Sequence, residues 1–247
     1  MGVPDSGQAH IDYCRGLARG EVWDGDRSAV RALPRAKELV VYARTTTIQA
    51  DRSKIDDGIA HVRDQVLPPV TSMDGCVGMS LLVDRESGRC IATTAWESEA
   101  ALQASAEQVK PLRADAEQNL GTSSSDVDVW EVAVVHRDHA TPDGACARIT
   151  WLSGDAGLAD RAVDIYKMAV LPKLQDWDGF CSASLLISRD SGRIVGTVTF
   201  ETRAQLEASR EAAAGLRQRA SQEMGAVVDD VAEMEVALAH LHLPELV

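Results

Sequence analysis

Aromatic residues are scarce: five Trp, three Tyr and two Phe make up 4% of the 247 residues. So few rings cannot line a groove for stacked bases, and a formal charge of −13 repels both a phosphate backbone and an anionic membrane surface. Neither nucleic acid nor membrane is an expected partner. Cysteine is sparse and odd in number: Cys14, Cys76, Cys90, Cys146 and Cys181, with no Cys-x-x-Cys spacing. That pattern speaks against a zinc site or a disulfide frame and for reduced, buried thiols in a cytoplasmic protein. The His residues have no metal-ligand spacing with a carboxylate, so no metal is expected. No stretch approaches the ~20 apolar residues of a membrane span. The N-terminus has no basic start followed by an apolar run, and no secretion signal is expected. P-loop, Gly-x-Gly-x-x-Gly, Gly-x-Ser-x-Gly and metalloprotease motifs are all missing.

What the chain does have is a repeat. Val66-Leu67-Pro68 returns as Val170-Leu171-Pro172, and Asp74-Gly75 as Asp178-Gly179. Ser80-Leu81-Leu82 returns as Ser184-Leu185-Leu186, and Ser87-Gly88-Arg89 as Ser191-Gly192-Arg193. The offset is constant without gaps, so one structural unit is written twice.

Each unit reads β-α-β-β-α-β. In the first, a β-branched strand covers 39–48. Ile55, Ile59, Val62 and Val66 then form a helical stripe that Pro68-Pro69 should stop. A hairpin follows, with strands over 75–84 and 89–97 about the turn Arg85-Glu86-Ser87-Gly88. Ser98 caps a second helix reaching about Asn119, which Pro111 should kink or split. The last strand covers 127–135. The second unit repeats this order. The expected organisation is an N-terminal extension at 1–38, with a short helix near Ile11 to Leu17, then units at 39–136 and 144–240.

Strand alternation sorts the faces. Val77, Met79, Leu81, Val83, Trp96, Trp130, Val132 and Val134 should lie under the helices. Arg44, Thr46, Ser80, Leu82, Thr93, Glu97 and Glu131 should share the other face, and each is identical to its repeat partner (Arg148, Thr150, Ser184, Leu186, Thr197, Glu201, Glu235). A shared polar face suits two sheets packed about a pseudo-twofold axis; an exposed polar face is the alternative. In the packed arrangement Arg44 with Glu131, and Arg148 with Glu235, should form a buried network, because opposite charges out of water must pair. The helix-side positions have diverged: Trp96 becomes Phe200, Trp130 becomes Met234, and Thr47 becomes Trp151.

The helix ending in Val-Leu-Pro, the Asp-Gly-x-x-x-x-x-Leu-Leu strand, the Ser-Gly-Arg hairpin and Trp96-Glu97-Ser98 before a helix resemble the antibiotic-biosynthesis-monooxygenase (ABM) domains. Those domains belong to the dimeric α+β barrel superfamily. The resemblance implies an α+β fold of two tandem ferredoxin-like units closing one barrel within a single chain, hence a monomer with an internal pseudo-dimer; further self-association stays open. The superfamily includes cofactor-free oxygenases, haem-degrading enzymes, isomerases and stress-response proteins. The haem-degrading members' Asn would fall near Ala43 and Ala147, and no His occurs on either second helix, which speaks against that mechanism.

Trp96, Trp130, Trp151, Tyr166 and Phe200 are the candidate pocket residues, each also readable as core. The implied ligand is a small apolar or aromatic molecule, and no cofactor is implied. Two readings remain: a cofactor-independent monooxygenase of an aromatic or polyketide-like compound, which lacks an obvious general base, and a non-catalytic ligand-binding or stress-response barrel. Whether the chain is an enzyme stays open, and no catalytic residue is assigned.

Overall fold

The computed structural model describes residues 40–247. The expected helix near Ile11 to Leu17 and the extension at 1–38 lie outside the described residues. The strands are β1 (Val41–Gln49), β2 (Cys76–Val83), β3 (Arg89–Trp96) and β4 (Ser125–Arg137), then β5 (Cys146–Ser153), β6 (Phe180–Ser188), β7 (Arg193–Phe200) and β8 (Val227–Leu241). They close into one antiparallel barrel in the order β1-β3-β2-β8-β5-β7-β6-β4. Each unit therefore supplies four adjacent strands, and the seams are β2–β8 and β4–β6.

The seams are copies of one another. Glu131 pairs with Ile187 in one and Glu235 with Val83 in the other. Both carry a register shift at the same repeat position, between Val132 and Val134 and between Val236 and Leu238. A bulge at Ala133 and Ala237 lets each long strand leave its own sheet and join the other.

The helices are α1 (Ile55–His61), α2 (Leu67–Thr71), α3 (Glu99–Ala104), α4 (Ala106–Asn119), α5 (Ala159–Ile165), α6 (Leu171–Leu174), α7 (Arg203–Ala208) and α8 (Arg210–Met224). Two sequence expectations fail here. Pro68-Pro69 does not stop the first helix: a wide π-type turn, Val62–Val66, joins α1 to α2, and Pro68 enters the first turn of α2. There its missing N–H costs no bond. The second half repeats this with Tyr166–Val170 and Pro172. Pro111 does not split the second helix either, since α4 runs through it. The break falls at Ser105, and at Ser209 in the second half, where the helical stretch has no proline at all.

Three apolar layers result. The barrel interior holds Val41, Ala43, Ile91, Ala95, Trp130, Ile149 and Met234. Ile55, Val62, Met79, Leu81 and Leu120 fill the space between the first sheet and its helices. Ala162, Tyr166, Leu185, Ile187 and Ile194 do so in the second half.

Strand parity corrects the expected faces. In β1 the odd residues Val41 and Ala43 point into the barrel, and Arg44 points to the helices. Trp130 and Val132 lie in the barrel rather than under the helices. Val134 lies under helices, but those of the second half, because the bulge at Ala133 inverts the alternation. Ser80, Leu82 and Thr93 do face the barrel chamber, as do Ser184, Leu186 and Thr197.

Candidate functional site

Each buried arginine meets a helix break. Arg44 donates from Nη2 to the Leu102 carbonyl at 2.7 Å and from Nη1 to Ser105 Oγ at 3.1 Å. Arg148 makes the same bonds, to Leu206 at 2.7 Å and Ser209 at 2.8 Å. The break frees a carbonyl that a continuous helix would use, and a guanidinium takes it. Arg44 is 7% exposed and Arg148 5%. Beneath them lie the two end-of-strand rings: the Arg44 guanidinium is 5.8 Å from the Trp96 ring centre and that of Arg148 5.8 Å from the Phe200 ring centre.

The expected pairing of Arg44 with Glu131 and Arg148 with Glu235 does not occur. Tyr42, not Arg44, stands opposite Glu131, and Cys146 opposite Glu235. Glu131 is gripped by Arg189 at 2.7 Å and Glu235 by Arg85 at 2.7 Å, each from the other half. The same arginines reach Asp160 and Asp56 at 2.8 Å or less, so these carboxylates tie the units together at the seams. The residue opposite Arg148 is Glu233, 2.8 Å away, which also receives Arg210 at 2.6 Å. Burial raises the affinity of Glu233 for a proton, but the hydrogen bonds from Arg210 and Arg148 outweigh it and hold the carboxyl below its usual value.

Trp96 and Phe200 fill space. Both are fully buried, and Trp96 donates its indole N–H to Thr94 Oγ1 at 3.1 Å while packing on Leu102 and Val109. Phe200 packs on Leu206 and stacks with Trp177. Trp130 and Trp151 belong to the barrel layer, each under a guanidinium: Arg193 at 4.9 Å and Arg89 at 4.1 Å. Of the five expected pocket residues, Tyr166 lines a helix-side cavity.

That cavity holds about 80 Å³ between the second sheet, the turn Tyr166–Val170 and helices α6 and α8. Tyr166, Trp177, Val170, Leu185 and Gly196 line it, with Arg148 and Arg217 at its polar edge. A surface cleft of about 270 Å³ beside Lys173, Asp176 and Arg219 shares Trp177 and Leu216 with it. Gly196 takes the place of Ala92 in the first half, and a β-carbon there would lie 3.8 Å from the Tyr166 ring. Burial raises the Tyr166 hydroxyl well above its ordinary pKa, so the phenol stays protonated; its weak bond is 3.4 Å to the Ser184 carbonyl. The first-half counterpart holds about 60 Å³, with Arg44 and Arg113 beside an apolar wall. No His, Asp or Glu lines either helix-side cavity among the described residues. A third space of about 300 Å³ lies inside the barrel under the hydroxyls of Ser80, Thr93, Ser184 and Thr197.

The family model for antibiotic biosynthesis monooxygenases matches residues 42–109. An uncharacterized protein of Mycobacterium tuberculosis is 49% identical over 221 residues, covering 89% of this chain and 98% of that protein. A second from the same organism is 48% identical over 229 residues, 92% of this chain and 97% of its own. The chain belongs to the ABM family. Among solved structures, a Fusobacterium nucleatum protein superposes with a TM-score of 0.63 at 11% identity, over 85% of this chain and 97% of that one. An anthrone oxidase-like protein does so with 0.59 at 13% identity, over 83% and 93%. Those two likenesses concern the fold.

Ala43 and Ala147, near which the resemblance puts the haem-degrading members' Asn, are both buried in the barrel layer. The ABM chain's own sequence signal for Ser105 and Ser209 was present: Leu102, Ala104 and Ser105 are identical to Leu206, Ala208 and Ser209. Glu233 carried no such signal, because Val129 stands at its repeat position.

Proposed function

We propose that this ABM-family protein binds a small apolar or aromatic molecule in the helix-side cavity of its second half. The observation that carries the reading is the apolar chamber under Tyr166, opened by Gly196 and bordered at Trp177 by a surface cleft. Glu233 pairs with Arg148 at its edge, and the wall beyond Arg148 and Arg217 is mostly apolar, which suits a largely apolar ligand. The apolar wall supplies affinity and the Tyr166 hydroxyl orients one polar atom.

Oxygenation of the bound molecule is the second reading, and Tyr166 favours it. Such a reaction draws on the substrate's own carbanion: a CH2 group between aromatic rings loses its protons and electrons, dioxygen is consumed, a ketone forms and water leaves. Tyr166 stays protonated and serves as a donor to the developing oxyanion, not as the base. Without a base on the cavity wall, the geometry supports binding before catalysis.

Equilibrium titration with 1-aminonaphthalene, a neutral aromatic probe, tests the binding reading. One saturable site per chain is expected, lost in Gly196→Val, which fills the chamber, and kept in Trp96→Phe. Binding that survives Gly196→Val but not Trp96→Phe would overturn it. Oxygen uptake with an anthrone then decides on catalysis: uptake lost in Tyr166→Phe promotes the second reading, and no uptake above buffer retires it.

A further inference from the structure

We infer that the helix-side cavity of the first half is an anion site built for the carboxylate of a small organic acid, received by Arg44 and Arg113. Three observations carry it. Arg44 is buried and lines the cavity, and a guanidinium does not give up its proton. Its two hydrogen bonds go to neutral acceptors, the Leu102 carbonyl and Ser105 Oγ. No carboxylate lies within ion-pair distance of it among the described residues, and Arg113 lines the same space with only Glu117 at 4.0 Å.

The second half shows what is missing. There the equivalent arginine makes the same two neutral bonds and also holds Glu233 at 2.8 Å. Register places Glu233 opposite Arg148 and Val129 opposite Arg44. Among the described residues Arg44 therefore lacks the carboxylate partner that Arg148 has. A buried charge without a counter-ion is costly, so an anion from solution gains what Glu233 gains internally. The Arg44 pKa agrees: burial lowers it, and the neighbouring charge of Arg113 lowers it further, both of which an entering anion would reverse.

Chemistry and size select the class. Glu233 meets the equivalent arginine with a carboxylate, and planar guanidinium groups match planar carboxylates. Apart from Thr46 and Thr94 the remaining wall is apolar, with Ile48, Val66, Leu81 and Leu112, which suits a short alkyl or aryl tail. About 60 Å³ accommodates the acid end and a short tail.

The test is a titration of the full chain with sodium propionate at neutral pH and constant ionic strength, following the arginine Nε–Hε resonances by NMR. Propionamide, chloride and phosphate serve as parallel titrants. One saturable propionate site that shifts Arg44 is expected, with propionamide inert. Val129→Glu, at a position 45% exposed and so tolerant of a charge, should place an internal carboxylate opposite Arg44 and weaken propionate by roughly tenfold or more. Arg44→Gln should do the same. Wild-type affinity in folded Val129→Glu, the absence of a saturable site, or chloride or phosphate competing as well as propionate would each overturn the assignment. The 1-aminonaphthalene site of the second half should be unchanged in Val129→Glu, so the two readings fail separately.

Discussion

Val129 and Glu233 stand at the same place in the two halves, each paired in register with the buried arginine of the neighbouring strand. Arg44 and Arg148 are otherwise held alike, by a freed carbonyl, a serine hydroxyl and a ring beneath. One difference in side chain thus separates a buried arginine that has a carboxylate partner from one that has none among the described residues. A duplicated unit can divide its roles this way without altering its fold.

Glu233 should give the protein an acid-sensitive term. Its carboxyl sits lower in the folded state than in an unfolded chain. A lowered carboxyl contributes stability above the unfolded pKa of about 4.3, and that stability is lost as pH falls through the folded value. Urea midpoints for the wild type and Glu233→Gln should therefore differ at neutral pH and converge as pH falls through the lowered folded value. A gap between them that persists unchanged into acid would sink this account.

Trp96 should matter for stability and not for binding. Its ring is fully buried and its N–H satisfied. Trp96→Ala should cost about 3–5 kcal/mol, read as a fall in the urea midpoint at constant slope. Trp96→Phe, which reproduces the second half's Phe200, should cost much less. Loss of 1-aminonaphthalene binding in folded Trp96→Phe would show the ring to be part of a site after all.

The order and approximate limits of the strands were legible from alternation and turn signals that the repeat writes twice, whereas closure of two units into one barrel was what the family resemblance implied. The faces were only partly legible. Tyr42-Ala43-Arg44-Thr45-Thr46-Thr47 offers polar and apolar residues on both sides, so alternation alone does not orient β1. The bulge at Ala133 bears no Gly or Pro to announce it, yet it sends Val134 to the opposite side from Val132. The partners of Glu131 and Glu235 come from the other half, which no reading of one unit could supply. Tyr166 was found because it lies on a helical stripe. Gly196 was not, because its importance is the space left by a missing methyl group.

The seam ion pairs should add little. Arg85 and Arg189 are nearly half exposed, and each bridges a carboxylate of the other half and one of its own. Solvent screens such pairs, so Arg85→Ala and Arg189→Ala should each cost less than about 1 kcal/mol in urea unfolding. A much larger loss would mean that these arginines, rather than the strand ladders, hold the seams.

The seams themselves should make the two halves one folding unit. β2–β8 and β4–β6 supply two of the barrel's ladders, and the interior layer draws Val41, Ala43 and Trp130 from one half and Ile149, Val195 and Met234 from the other. Either half alone would expose that layer and two unpaired sheet edges. Because the chain supplies both halves, it needs no second copy to cover them. Light scattering should give a mass near 26.5 kDa, and urea unfolding followed by tryptophan fluorescence and by far-ultraviolet circular dichroism should give one coincident transition. Two separated transitions would show that the halves fold independently and merely touch. A particle of twice the mass that loses its structure on dilution would show that closure needs a partner chain.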